Sequence, residues 1–253
     1  MAIKRKSKIA ETRGLKGRRT ETIHPVTLSI DIGGSGLKAM LLDRSGNPIS
    51  ERQRVPTPAI PTPAAVLKGL NKLQQMLPGF DRVSVGFPGV IKRGITYTAA
   101  NLHPRWALFP LQKELEARWK KPVRVANDAA VQGYGAVQGR GVELTLTLGT
   151  GMGSALFTEG HLCPGLELAH HPWKTHTYED YVGRRGLDKH GAKKWNKYVQ
   201  EVIDQTEKTF NWDHLYIGGG NTKKISFKPP KNVTIVSNRE GILGGVALWR
   251  DAI

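Results

Sequence analysis

The sequence predicts an α/β protein of two similar lobes facing across a cleft. A glycine-rich turn between two apolar runs occurs twice, at 28–38 and at 144–157. Around each turn the same succession follows: three strands, then helices interleaved with further strands. Between the two turns lies a single Asn127-Asp128 pair. Glycine turns of this kind let the backbone approach a ligand closely, and their N–H groups can cradle phosphate oxygens. Two of them, with a carboxylate between, point to one centre for phosphoryl transfer.

Periodicity and punctuation place the elements in order. Strands are expected at 26–32 and 37–42, joined by the first turn. Arg44-Ser-Gly46-Asn47-Pro48 separates them from a third strand at 49–55. Pro56, Pro58, Pro61 and Pro63 make a stiff connection. Val66, Leu67, Leu70, Leu73 and Met76 give 64–77 helical spacing, and 83–87 is a short apolar strand. A helix at 110–119, a strand at 123–125 and a helix at 128–137 complete the first succession. The pattern then restarts, with strands at 143–148 and 152–158 around the second turn and a third beginning at 160–162. Residues 178–210 read as helical, broken at Gly186 and Gly191. A strand at 215–217 runs into Gly218-Gly219-Gly220-Asn221, followed by a strand at 233–236 and a closing helix at 240–250. The expected division is a basic tail over 1–25, a first lobe over 26–127 and a second over 128–238. The segment 239–253 is expected to return to the first lobe.

Composition bounds the function. The 253 residues include 39% hydrophobic side chains, enough for a sizeable core. No apolar stretch approaches the roughly 20 residues of a membrane span. The basic start has no apolar secretion segment, and Cys163 alone permits neither an internal disulfide nor a multi-cysteine zinc site. A cytoplasmic protein with no membrane partner is expected. The formal charge is +17, of which residues 1–20 carry +7. Arg184, Arg185, Lys189, Lys193, Lys194 and Lys197 crowd one helical stretch, with Lys223, Lys224, Lys228 and Lys231 further on. Such a field suits a polyanion, although a generally basic, solvated surface has the same composition.

The ordered motifs resemble those of ROK-family sugar kinases: Asp31-Ile-Gly-Gly-Ser-Gly-Leu-Lys38, Gly86-Phe-Pro-Gly89, Ala100-Asn101-Leu102, Asn127-Asp128-Ala129, Gly149-Thr-Gly-Met-Gly153, Glu167-Leu-Ala-His170 and Gly218-Gly-Gly220. The likeness covers 26–253. Within the family the chain is similar to the polyphosphate glucokinases, in the Gly-Ser-Gly of its first turn, in Asn101 followed by Trp106, and in Gly153-Ser-Ala-Leu-Phe157. The resemblance implies an actin-like, ribonuclease-H-like pair of lobes, and transfer of a phosphoryl group to the 6-hydroxyl of a hexose, glucose foremost.

It also implies roles. Asp128 would be the general base; as a residue type it also suits a helix cap. Asn101, Asn127, Asp128, Glu167, His170 and Glu179 would hold the sugar. His171 is an alternative to His170, whose other reading is a buried, satisfied histidine. Glu179 follows a spacer at 173–178 and reads equally as a surface helix residue. Ala169 departs from the family glycine. Gly33, Gly34, Ser35, Gly36, Gly149, Thr150, Gly151, Gly153 and Gly219 would meet phosphate. Lys38 would reach it or face solvent from its strand. Asp31 would hold Mg²⁺ through water, and structural zinc is not expected. The donor is expected to be polyphosphate, with ATP or GTP as the alternative. A homodimer is the family expectation. No specific nucleic-acid partner is expected, since such binding leaves Asp128, Glu167 and the paired turns unexplained.

Overall fold

The sheet order follows from where the apolar runs fall. A computed structural model of the chain describes residues 24–99, 102–236 and 243–250. Strand β1 (Thr27–Ile32) pairs antiparallel with β2 (Leu37–Leu42), and β3 (Gln53–Val55) extends that edge. Helix α1 (Pro63–Gln75) starts on a Thr62 cap whose hydroxyl accepts from the Ala65 N–H (3.3 Å), with Pro63 in its first turn. It leads into β4 (Arg82–Phe87), parallel to β1. A small hairpin, β5 (Ile91–Lys92) and β6 (Ile95–Thr96), then precedes α2 (Leu111–Trp119) and β7 (Val123–Asn127), which is parallel to β4. The first sheet therefore runs β3-β2-β1-β4-β7.

Helix α3 (Asp128–Ala136) carries the chain into the second lobe. Strands β8 (Val142–Leu148), β9 (Met152–Thr158) and β10 (His161–Leu162) form an antiparallel set. A hairpin of β11 (Pro172–Trp173) and β12 (His176–Thr177) leads to α4 (Tyr178–Val182) and the long α5 (Arg184–Phe210). Strands β13 (His214–Gly218) and β14 (Val233–Ile235) add parallel to β8. This sheet runs β10-β9-β8-β13-β14, the same arrangement as the first. The repeat is the two-lobed, actin-like and ribonuclease-H-like fold.

Each sheet has its own apolar core. The first gathers Leu28, Ile30, Leu70, Val85 and the fully buried Trp106, whose indole N–H donates to the Pro61 carbonyl (2.8 Å). The second gathers Leu146, Trp195, Val199, Ile203 and Ile217. A third cluster, in which Ala126, Ala130 and Ala155 meet Val131, Phe157 and Leu248, packs α3 between the sheets. The segment Gly244–Trp249 closes this junction, against α3, β1 and β4. Its Trp249 ring lies between the Arg82 and Arg124 guanidinium groups, 5.0 and 4.8 Å from the centroid. The Trp249 indole donates to Ser84 Oγ (2.8 Å), and Ser84 donates to the Gly245 carbonyl (2.6 Å).

Several sequence expectations need correction. The third strand is confined to Gln53–Val55: Pro48 makes only an isolated bridge to Leu42, and the Ser50 hydroxyl takes the Leu41 N–H (2.9 Å) that a ladder would use. Gly186 is a buried helical residue, not a break; the chain breaks earlier at Gly183, between α4 and α5, and kinks at Gly191 (φ 73°). The described part of the closing helix is a 3-10 turn, Gly244–Trp249, as two successive glycines weaken an α-helix. The spacer at 173–178 contains a hairpin. Of the predicted tail, residues 1–23 lie outside the described residues, as does Asn101.

The far end of α3 is fixed by a buried carboxylate. Glu143, 1% exposed, accepts the N–H groups of Gln138 (2.7 Å), Gly139 (2.7 Å) and Arg140 (3.1 Å) and the Tyr216 hydroxyl (3.0 Å). Burial and then this bond push the Tyr216 hydroxyl up to about 12. Orphaning a buried donor costs about 1–3 kcal/mol. Glu143→Ala is therefore expected to cost about 3 kcal/mol, a loss of roughly 6–12 °C in Tm for a chain of this size. A thermal melt that moves by less than about 2 °C would show that the loop holds without it.

Candidate active site

Strand ends bring the chemistry together. In the first sheet Asp31 pairs with Gly86, and Phe87 with Asn127, so the carboxyl ends of β1, β4 and β7 lie side by side. Ligands of α/β sheets bind at such edges. Here the edge forms one wall of a cleft of about 1230 Å³, and the second glycine turn forms the other. Asp31, Gly33, Gly34, Ser35, Lys38, Asn127 and Asp128 line the first side. Gly149, Thr150, Gly151, Gly153, Glu167, His170, Glu179 and Gly219 line the second. Gly36 is not among the lining residues and lies against the Arg54 guanidinium.

The helix cap falls on Asn127 rather than on Asp128. Asn127 Oδ1 accepts from the Ala129 (2.8 Å) and Ala130 (3.4 Å) N–H groups, and its amide donates to the Gly89 carbonyl (3.2 Å). Asp128 is then the first helical residue, with Oδ1 accepting from the Ala129 N–H (2.8 Å). Its carboxyl sits deep among protein atoms with an edge open to the cleft. Burial is the main reason its pKa rises to about 7, followed by the charge of Asp31; the Ala129 N–H pulls the other way, and Glu167 adds a small rise. Asp31 is opposite Lys38 across the β1–β2 ladder, and Lys38 Nζ donates to Asp31 Oδ2 at 2.7 Å.

Both glycine turns have their carbonyls tied back. In the first, Arg54 donates to the Ser35 carbonyl (2.9 Å) and the Thr57 hydroxyl to that of Gly33 (2.5 Å). In the second, the Gly149 carbonyl accepts from the Arg184 N–H (2.9 Å) and the Asn221 amide (2.7 Å), and the Thr150 carbonyl also faces the Arg184 N–H (3.2 Å). Gly219, at φ 96°, runs so close to the Leu148 backbone that no side chain fits. Gly153 is a strand residue, and its missing side chain admits Ala129 of α3 and the Thr147 hydroxyl.

A third cluster lies beyond the second turn. His170 Nε2 is 3.7 Å from Glu167 Oε2, and His170 Nδ1 is 3.6 Å from Glu179 Oε1. Burial raises the Glu167 pKa; His170 opposes this and Glu179 adds to it. Ser154 holds the Glu167 loop by donating to the Leu166 carbonyl (3.1 Å). Glu179 arrives because the β11–β12 hairpin turns the chain and stacks Trp173 on Tyr178 (5.2 Å, 10°). His171 is not among the lining residues. Two carboxylates, an imidazole and the Asn127–Asp128 pair form a set of planar hydrogen-bonding groups suited to a polyhydroxyl ligand.

A family model described as the ROK family matches residues 27–186. The chain belongs to the ROK family. It is 32% identical over 224 residues to a polyphosphate glucokinase of Mycobacterium tuberculosis, spanning 85% of this chain and 83% of that one. Among solved structures, the inorganic polyphosphate/ATP-glucomannokinase of Arthrobacter sp. strain KM superimposes with a TM-score of 0.80 at 30% identity, over 88% of this chain and 98% of that one. A ROK glucokinase of Streptomyces griseus, in complex with glucose and AMPPNP, shares the fold with a TM-score of 0.75 at 19% identity, over 88% and 98% of the two chains.

Several residues of this ROK protein's cleft lie outside the motifs. Arg52, Thr98, Gln132 and Thr222 line it. Arg54 and Thr57 brace it from outside the first motif, and nothing in their spacing marks them. Arg184 and Lys223, counted in the sequence only as surface charge, also reach the lining. Among the described residues no helix is long and apolar enough to cross a membrane.

The Asp128 assignment has a direct test. Its carboxyl is expected to titrate near pH 7 by ¹³C NMR, and Asp31→Asn to move that midpoint down. A carboxyl raised from 3.8 to about 7 in the fold favours folding most below about pH 4, and that contribution is lost as pH rises through 7. Asp128→Asn should therefore gain Tm over the wild type between pH 4 and 8; a gap that is flat with pH would contradict the raised pKa.

Proposed function

We propose that this ROK sugar kinase transfers the terminal phosphoryl group of inorganic polyphosphate to the 6-hydroxyl of glucose, with Asp128 as general base. The observation that carries the reading is the place of Asp128: at the start of α3, in one cleft with both braced turns and the Glu167–His170–Glu179 cluster. Sugar held by Glu167, His170, Glu179 and Asn127 would bring a hydroxyl to the Asp128 carboxylate, which accepts its proton as the oxygen attacks phosphorus. A base near pH 7 is ionised enough to act and basic enough to take the proton. The Gly33 and Gly149 N–H groups close the turns by donating to the Gly36 (3.1 Å) and Gly151 (3.0 Å) carbonyls, so the donor's phosphates would lie against the N–H groups at 34–36 and 150–151.

The cleft also suits a magnesium ion. Mg²⁺ favours hard oxygen ligands and is commonly held by one or two carboxylates together with substrate phosphates. Asp31 supplies such a carboxylate beside the turns, and its charge already reaches Asp128. Bound through water at Asp31, the ion would neutralise phosphate charge. Lys38, at 2.7 Å from Asp31, stands ready to share that work.

Polyphosphate as donor is supported by the similarity to the M. tuberculosis protein and by the chain's positive charge. A second reading, ATP as donor, is favoured by the cleft's extension past Gly219 and Asn221 to Ile235 and Val236, where an adenosine has room. The Arthrobacter protein carries both donors in its name.

Three outcomes are expected. Asp128→Asn should fold and lose about 10²–10⁴ in kcat; more than about a tenth of wild-type turnover would end the base assignment. The kcat/KM of the wild type should rise tenfold per pH unit up to about pH 7 and then level, since only the ionised carboxylate accepts the proton. Glucose 6-phosphate formation with Mg²⁺ and long-chain polyphosphate should weaken as salt rises. Turnover with ATP alone would leave the sugar site and replace the donor.

A further inference from the structure

We propose that a polyphosphate chain leaves the cleft past Arg184 and Lys223 and lies along the outer face of α5, over Lys193, Lys197 and Lys228; this rests on the donor reading above. Arg184 and Lys223 line the cleft itself. Lys223 belongs to the 3-10 turn Gly220–Lys224, which a buried side chain clips to α5. Asn196, 6% exposed, donates to the Ala192 and Lys224 carbonyls (2.8 Å each) and accepts from the Ser226 N–H (2.8 Å). Turn and helix thus move as one surface. Beyond the Gly191 kink, Lys193 and Lys197 are one helical turn apart and exposed. Lys197 and Lys228 both line a second groove of about 450 Å³, between α5 and the segment 227–230.

The charges on this path are available. No carboxylate of the described residues pairs with Lys193, Lys197, Lys223 or Lys228, whereas Lys174 is held by Glu201 (2.6 Å) and Arg185 by Asp180 (3.4 Å). Glu201 and Asp204 line the same groove and mark where an anion is repelled. Arg184 and Lys197 stand thirteen residues apart on either side of the Gly191 kink, a separation of at most ~20 Å along the axis. A triphosphate seated in the cleft has no charge that far out, but a polymer with a charge on every unit meets each lysine in turn. Single-stranded nucleic acid fits less well. It stacks its bases on exposed aromatic faces; the one aromatic of the groove lining, Phe227, is partly buried against the second core, and none of the exposed large apolar side chains among the described residues lies on α5 or on 220–231.

The test is the triple variant K193Q/K197Q/K228Q, whose three positions are exposed and outside the cleft lining. KM for long-chain polyphosphate should rise roughly tenfold at low salt, and the log–log salt slope should flatten by about 2–3, close to one for each lysine neutralised. KM for tripolyphosphate or ATP, and kcat, should stay within about twofold of wild type, and Tm should not move. Unchanged long-chain KM and slope would overturn the path. If the wild type turns over ATP but no polyphosphate, the donor reading has failed, and direct binding of long-chain polyphosphate then decides: binding abolished in the triple variant keeps the path as a polyanion site, and no binding to wild type removes it. Tight binding of single-stranded DNA through these lysines, with polyphosphate KM unmoved, would also overturn it.

Discussion

Asn127 ends β7 and caps α3, and the position of that cap governs the rest of the cleft. Its side chain satisfies the first free N–H groups of the helix while its amide holds the Gly89 carbonyl of the neighbouring loop. One residue therefore fixes where the first sheet stops and where the wedge between the lobes begins. Small side chains make the wedge fit: Ala129 meets Gly153, and Gly133 lies under the Phe157 ring. Close packing of this kind leaves the helix little room to slide. Asp128, one residue past the cap, inherits that rigidity, and Glu143 secures the loop at the other end.

The electrostatics follow from that placement. Asp128 is drawn to about 7 chiefly because the junction removes water from it, with Asp31 across the edge as the second cause. Lys38 partly offsets Asp31 at 2.7 Å. A cation placed beside Asp31 would weaken its pressure on Asp128 and lower that pKa. The same logic separates the two acidic clusters. Glu167 and Glu179 have the His170 ring between them, at 3.7 and 3.6 Å, while Asp128 has no such partner among the described residues.

The glycine turns show why flexibility of composition is not flexibility of structure. Each turn is rich in glycine, yet its carbonyls are tied by side chains or backbone from other elements: Arg54 and Thr57 at the first, Arg184 and Asn221 at the second. A loop already ordered by such ties before a ligand arrives spends less binding energy on ordering itself. That the second turn is braced by the start of α5 also joins it to the helix that bears the cationic surface.

The sequence by itself determined the two-lobed repeat, the strand-turn-strand motifs and most of the cleft's walls, because these rest on local periodicity and on glycines whose reason for being there is local. The resemblance to ROK kinases implied one site for Asp31, Asp128, Glu167, His170 and Glu179, and all five line one cleft. Only tertiary structure decided the rest. The cap went to Asn127 because the Gly89 loop packs beside it, and the 3-10 turn at Gly244–Trp249 formed where α3 and Ser84 could hold it. The braces at Arg54 and Thr57 and the Asn196 clip depend on pairs far apart in sequence, such as Arg54 with Ser35 and Asn196 with Lys224. A near-neutral pKa at Asp128 is equally non-local, since it arises from desolvation between two sheets that no stretch of sequence contains.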